Sequence, residues 1–238
     1  MSDGAPVEHL EDAAGAASAA RQRLQQALAR TLPMARLESL RLPDCDDIEL
    51  LVINADFPTG PLEPDVMRAV IAEPAYWAFC WGSGQALARW LLAQPERVRG
   101  RRVLDLGSGS GVAGIAAALA GAASVVACDI DADARLASVV NAHLNGVDVE
   151  PCERLQDAPP ADVIVLADVL YDAANLPLLD AARCQAGEVI VADSRIDTLP
   201  SADFELLDTL AALTLPNLGE FDVYGTTRIW RAPGLGPR

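Results

Sequence analysis

From residue 85 onward, short apolar runs alternate with stretches of helical period. Val103–Leu106, Ser124–Cys128, Asp162–Leu166 and Glu188–Ala192 read as strands, and Val147–Cys152 as a weaker one. Between them Gln85–Leu92, Val112–Ala120, Ala132–Leu144 and Leu176–Arg183 read as helices, with Asn145-Gly146 closing the third. The strands are apolar on successive positions, as strands buried on both faces are. Together with the alternation this predicts an α/β fold whose parallel sheet is covered on both sides. The tail breaks the rhythm. After Phe204–Leu213, Asp222–Trp230 alternates like an exposed antiparallel strand, which predicts a hairpin at one edge of the sheet.

Upstream the pattern is looser. Residues 1–20 are rich in Ala, Asp, Glu, Ser and Gly and are expected to fray at their start. The Ala/Leu/Gln/Arg composition of Ala16–Arg30 favours a helix that Pro33 stops. Ile48–Ile53 reads as a strand, Pro58–Pro64 as a loop, and Val66–Glu73 as a short helix ending before Pro74. These segments divide the chain into an N-terminal helical, partly flexible extension over residues 1–45 and one domain over residues 46–238.

Composition narrows the partners. The chain of 238 residues carries 34 acidic and 18 basic side chains, a formal charge of −16, which disfavours nucleic acid and anionic membranes. No uninterrupted apolar stretch reaches the ~18 residues that span a bilayer. Residues 1–10 carry acids but neither Lys nor Arg, unlike a secretory signal. The five cysteines, at 45, 80, 128, 152 and 184, never stand in a C-x-x-C spacing, and only two histidines accompany them. No metal site is therefore expected, and a reducing cytoplasm is the expected setting for what is read as a monomer.

The strongest chemical signal is Val103-Leu104-Asp105-Leu106-Gly107-Ser108-Gly109-Ser110-Gly111, between a predicted strand and a predicted helix. Glycines at alternate positions let the backbone turn tightly and approach a ligand where a Cβ would intrude. A second acid, Asp129, ends the next strand, where a carboxylate can accept ribose hydroxyls. A dinucleotide site prefers G-x-G-x-x-G, and the acid before the glycines would face a pyrophosphate unfavourably. A P-loop needs a lysine after its glycines, and this chain contains no lysine. S-adenosylmethionine remains. It joins an amino acid, a sulfonium and a ribose without phosphate, so Asp105 suits its ammonium and Asp129 its ribose. Gly107, Ser108, Gly109, Gly111 and Ile130 complete the expected cofactor contacts.

Two further groups face the same end of such a sheet. The strand Val163–Leu166 leads into Asp168, with Tyr171 three residues on. In open α/β sheets, ligands bind beyond the carboxyl ends of strands, so both side chains are expected at the methyl donor. A carboxylate there matches a lysine ammonium or another cation, and a tyrosine offers a π face and a hydroxyl. The block Tyr76-Trp77-Ala78-Phe79-Cys80-Trp81-Gly82-Ser83-Gly84-Gln85 gathers aromatics just before a helix, and Trp81 is expected to close over the adenosine half. Gln156 and Asp157 are candidates for adenine contacts.

Taken together, Tyr76–Leu87, Val103–Gly111, Cys128–Asp131, Leu166–Asp172 and, more weakly, Ala192–Arg195 with Thr226–Trp230 resemble the seven-strand S-adenosylmethionine-dependent methyltransferases. Within that group the chain is similar to the electron-transfer flavoprotein β-subunit lysine methyltransferases. The resemblance implies a Rossmann-like sheet of order 3-2-1-4-5-7-6, a protein lysine as acceptor, and catalytic roles for Asp168 and Tyr171. The chain departs from the family where Trp-Pro-Gly-Gly becomes Trp81-Gly82-Ser83-Gly84 and where Asp-Pro-Gly-Arg becomes Asp193-Ser194-Arg195. The segment Asp129–Val147 also resembles ribosomal-protein methyltransferases. That group and a small-molecule amine methyltransferase are the alternatives.

Overall fold

A computed structural model describes residues 5–218 and 225–236. In chain order the elements are α1 (Ala5–Thr31), β1 (Leu37–Leu42), β2 (Cys45–Ile53), α2 (Pro64–Ala72), α3 (Gly82–Ala93), β3 (Arg102–Leu106), α4 (Val112–Leu119), β4 (Ser124–Cys128), α5 (Ala132–Leu144), β5 (Glu150–Cys152), β6 (Ala161–Ala167), α6 (Pro177–Gln185), β7 (Ala186–Asp193), β8 (Glu205–Ala211) and β9 (Thr226–Pro233). Seven strands form one sheet in the order β5-β4-β3-β6-β7-β9-β8. Counted from β3, the first strand of this sheet, that is the expected order 3-2-1-4-5-7-6. The pairs from β5 through β7 are parallel, while β9 runs antiparallel to both β7 and β8. Residues 222–224, predicted to begin the last strand, lie outside the described residues.

Strand alternation sends side chains to two cores. Val103, Val163, Val165 and Ile190 pack with Leu87 and Leu91 of α3 and Ile115 of α4. On the other face Leu104, Ile164, Leu166 and Val189 pack with Leu179 and Ala182 of α6. Each face is apolar, as the continuous apolar runs require.

A third cluster joins the N-terminal segment to the sheet domain. Leu24, Ala27 and Leu28 form an i, i+3, i+4 stripe on α1 that packs with Leu37, Leu51 and Ile53 of the β1–β2 hairpin and with Ala134 and Ala137 of α5. The outer edge of β2 is met by side chains rather than by another strand. Asn141 Oδ1 accepts the Leu51 N–H at 2.7 Å, and Asn145 Oδ1 accepts the Glu49 N–H at 2.8 Å. Asn145 also returns an N–H to the Glu49 carbonyl at 2.7 Å. The division drawn at residues 45 and 46 thus falls at the start of β2, just past the turn of this hairpin, whose first strand the sequence pattern does not reveal. In Leu37–Leu42 two exposed residues stand side by side at Glu38 and Ser39, which breaks the period of two. The helix read over Ala16–Arg30 extends back to Ala5.

Candidate functional site

The chain order runs outward from β3 through β4 to β5, then returns across β3 to β6, so the loops after β3 and β6 flank the point where the winding reverses. That crevice is where open α/β sheets bind ligands. The glycine loop leaves β3 and the Asp168 loop leaves β6, and the two touch. A Cβ on Gly107 would lie 2.6 Å from Val169 Cγ2, in a backbone already at φ +74°.

The glycine loop is held from behind. Gly107 and Ser108 donate their N–H groups to the Cys128 carbonyl, at 2.8 and 3.2 Å. Ser108 is buried and its hydroxyl accepts from Ser138 Oγ at 3.0 Å, so its side chain anchors the loop to α5. Asn141, already bonded to β2, also donates to the Ser110 carbonyl at 2.9 Å. A Cβ on Gly111 would lie 2.8 Å from Ser138 Cα. Gly109 differs: it has φ +51° and nothing within 4 Å of the position its Cβ would take. Gly107 and Gly111 are thus demanded by packing, and Gly109 faces open space.

Asp129 sits beside that space. Its Oδ2 accepts the Gly109 N–H at 3.0 Å and its Oδ1 accepts the Asp131 N–H at 3.0 Å. Each oxygen keeps a lone pair for a further donor. Ile130 next to it is 84% exposed. Asp105 lies beneath the loop, fully buried, with Oδ2 accepting the Gly114 N–H at 2.9 Å. Burial pushes its carboxyl up to about 7. Gln156 and Asp157 are exposed on a short turn after β5.

Asp168 stands at φ +53°, a conformation uncommon for a residue with a Cβ. Its Oδ2 accepts the Ser83 N–H at 2.9 Å and its Oδ1 accepts the Ser83 hydroxyl at 2.6 Å. Arg195 Nη1 lies 3.5 Å from the same Oδ1. Burial raises the carboxyl to about 6 against the pull of Ser83 and Arg195. Around it the aromatics form one wall. Tyr171 is 5.5 Å from Tyr76, ring centre to ring centre, and Tyr76 is 5.7 Å from Trp81 in an edge contact. The Trp81 indole N–H donates to the Tyr76 carbonyl at 2.8 Å, and the Arg195 guanidinium lies 5.9 Å from the Trp81 ring centre.

The structure therefore brings Asp168, Tyr171 and Trp81 together, and Asp105, Gly107, Ser108, Gly109, Gly111, Asp129 and Ile130 into the neighbouring lobe. Trp81, expected over the adenosine half, stands on the Asp168 side. Ser83, Tyr76 and Arg195 belong to the same wall, and only their membership of the matched segments pointed to them. Trp77 is buried in the hairpin core. Among the described residues no group of His, Cys, Asp and Glu is arranged to hold a metal ion.

The family described as "Ribosomal protein L11 methyltransferase (PrmA)" matches residues 86–190. The electron transfer flavoprotein beta subunit lysine methyltransferase of Danio rerio is 38% identical over 173 residues, 66% of this chain and 65% of that protein. The chain resembles these lysine methyltransferases. It spans about two thirds of the zebrafish protein's length. The ribosomal protein L11 methyltransferase of Xanthomonas oryzae is 36% identical over 127 residues, half of this chain and 40% of the relative. Among solved structures, the T. thermophilus 16S rRNA N2 G1207 methyltransferase in complex with AdoMet and guanosine covers 84% of this chain and 50% of its own, with TM-score 0.51 and 18% identity. At that identity the likeness shows the fold, a Rossmann-like seven-strand sheet.

Proposed function

We propose that the chain is an S-adenosylmethionine-dependent protein-lysine N-methyltransferase acting on the electron-transfer flavoprotein β subunit. The observation that carries this reading is the contact of two loops at one crevice. One is a glycine loop with Asp129 and open space at Gly109, and the other carries Asp168 and Tyr171 behind an aromatic wall.

The first lobe fits the cofactor. Asp129 offers lone pairs to two hydroxyls, Ile130 offers exposed apolar surface to a base, and Gly109 leaves room for the ligand to lie on the backbone. Nothing in this loop is built for phosphate, and buried Asp105 opposes one. When bound, S-adenosylmethionine supplies an electrophilic methyl group.

In the second lobe, Tyr76, Trp81 and Tyr171 present ring faces and edges against which a lysine chain and its amine can lie. Asp168 ties the first turn of α3, and with it the aromatic wall, to the loop after β6. The lysine must shed its proton before it accepts a methyl group. His143 lies exposed in the last turn of α5 and has no part in this. Catalysis rests on orientation and desolvation of the amine.

The test is incubation of the purified chain with methyl-labelled S-adenosylmethionine and recombinant flavoprotein β subunit, followed by peptide mass spectrometry. Mass added on lysine is the expected result. The family match over residues 86–190 favours a second reading, a ribosomal-protein methyltransferase, and label confined to ribosomal protein L11 would establish it instead.

A further inference from the structure

Asp168 adjoins the aromatic wall with both of its oxygens engaged. Its two oxygens together take the Ser83 N–H, the Ser83 hydroxyl and the Arg195 guanidinium. Its side chain is 7% exposed. A lysine ammonium entering between Tyr76, Trp81 and Tyr171 therefore finds the Asp168 carboxylate already engaged and meets the Arg195 guanidinium beside it.

The main chain at Arg195 is held in place. Its N–H donates to Asp193 Oδ1 at 2.7 Å, with the Ile196 N–H on the same oxygen at 3.2 Å, so the turn after β7 is pinned. The head rests against the Trp81 ring and the Asp168 carboxylate.

We propose that Arg195 selects the uncharged form of the acceptor amine: held by Asp168 and Trp81, its guanidinium neutralises the acid that would otherwise capture an ammonium and repels the ammonium itself. This inference rests on the lysine-methyltransferase reading above. Arg195 acts as a positioning and electrostatic residue and takes no proton. The charged and titratable groups that bear on Asp168 and Tyr171, beside which the amine would enter, are Asp193 at the end of β7, Arg195 after it, Tyr76 before α3, Asp172, and Asp129 after β4. Arg195 is the cation that bears on Asp168 among them. A like charge disfavours the protonated amine, and removing it leaves the acids to favour that form.

The experiment measures transfer to the flavoprotein β subunit from pH 6.5 to 9.5 for the wild-type chain, Arg195→Gln and Arg195→Lys. Arg195→Gln is expected to move the rate inflection up by about one pH unit, giving a roughly tenfold loss below it and convergence at high pH. Arg195→Lys is expected to keep the wild-type inflection. A loss equal at every pH, or an unmoved inflection, overturns the inference and leaves the methyltransferase reading standing. No transfer to any lysine by the wild-type chain overturns both.

A second readout does not depend on a variant. Calorimetry of β-subunit binding to the wild-type chain with S-adenosylhomocysteine, in two buffers of different ionisation enthalpy at pH 8, is expected to report net proton release. The product lacks the sulfonium charge, so the release reports the chain's own groups. Binding without proton release would overturn the inference.

Discussion

The Asp168 carboxylate takes both donors of Ser83, the backbone N–H at 2.9 Å and the hydroxyl at 2.6 Å, across 85 residues of sequence. Ser83 lies in the first turn of α3, where N–H groups have no partner within the helix. The acid thus caps a helix that its own loop does not begin, and its charge sits at the positive end of the helix dipole. Through this cap the loop after β6 is tied to the first turn of α3 and to the aromatic wall before it.

Asp168→Ala is expected to lower methyl transfer by about 100-fold or more while leaving cofactor affinity within about threefold. It also leaves the buried Ser83 donors unpaired, at a cost of about 1–3 kcal/mol. Asp168→Asn keeps an acceptor and tolerates the left-handed backbone. Its melting temperature is expected to lie above that of the alanine variant. Thermal denaturation, cofactor calorimetry and the transfer assay separate these effects.

Gly109→Val is expected to abolish cofactor binding with a stability loss of about 1–2 kcal/mol, because its side chain meets only open space while its backbone is left-handed. Gly111→Ala behaves oppositely. Its methyl group would run into the Ser138 backbone, so the fold suffers first. Calorimetry at a temperature where both variants remain folded distinguishes the two.

Burial of Asp105 gives stability a pH dependence. Its carboxyl ionises at about 7 in the folded chain against an ordinary value of 3.8. Between these values the unfolded chain gives up the proton and the folded chain retains it, so stability falls as pH rises from about 4 to about 7 and stays lowered above. Asp105→Asn, whose amide oxygen can still accept from Gly114, is expected to stabilise the fold by on the order of 3 kcal/mol at pH 8. Near pH 4 the difference should vanish. Urea denaturation at both pH values checks this.

Glu188 holds the sheet together away from the site. It is buried at the start of β7 and accepts from Arg101 Nη1 at 2.6 Å and from Arg231 Nε of β9 at 2.5 Å. Burial opposes its charge, but the two arginines outweigh that and hold the carboxyl below its usual value. Its contribution is present above the ordinary carboxylate range and is lost in acid. Glu188→Ala is expected to cost about 2 kcal/mol at pH 7, discounted because both arginines are partly exposed. Cofactor affinity should stay unchanged.

The parallel sheet was readable because its strands are continuous apolar runs bounded by loops, as at Val163–Leu166. The glycine loop was readable because its spacing has few other uses between a strand and a helix. The tie between Asp168 and Ser83 was not. It joins two loops that the sequence separates by 85 residues, and a serine near a helix start has many local partners to choose from. The aromatic block before a helix points Trp81 toward the adenosine half, whereas its contacts with Tyr76, Phe79 and Arg195 set it on the Asp168 side of the crevice. The first hairpin strand escaped because two adjacent exposed residues interrupt its alternation.

Asn141 and Asn145 stand where a third strand would add to the β1–β2 hairpin. A polypeptide trimmed to begin at residue 46 would lose β1 and bare the other side of β2, a row of main-chain donors and acceptors with nothing beside it. Such a fragment would stick to copies of itself. Because Asn141 also braces Ser110, its cofactor loop would loosen along with the damaged hairpin. The shortest useful version of this protein therefore starts ahead of Leu37.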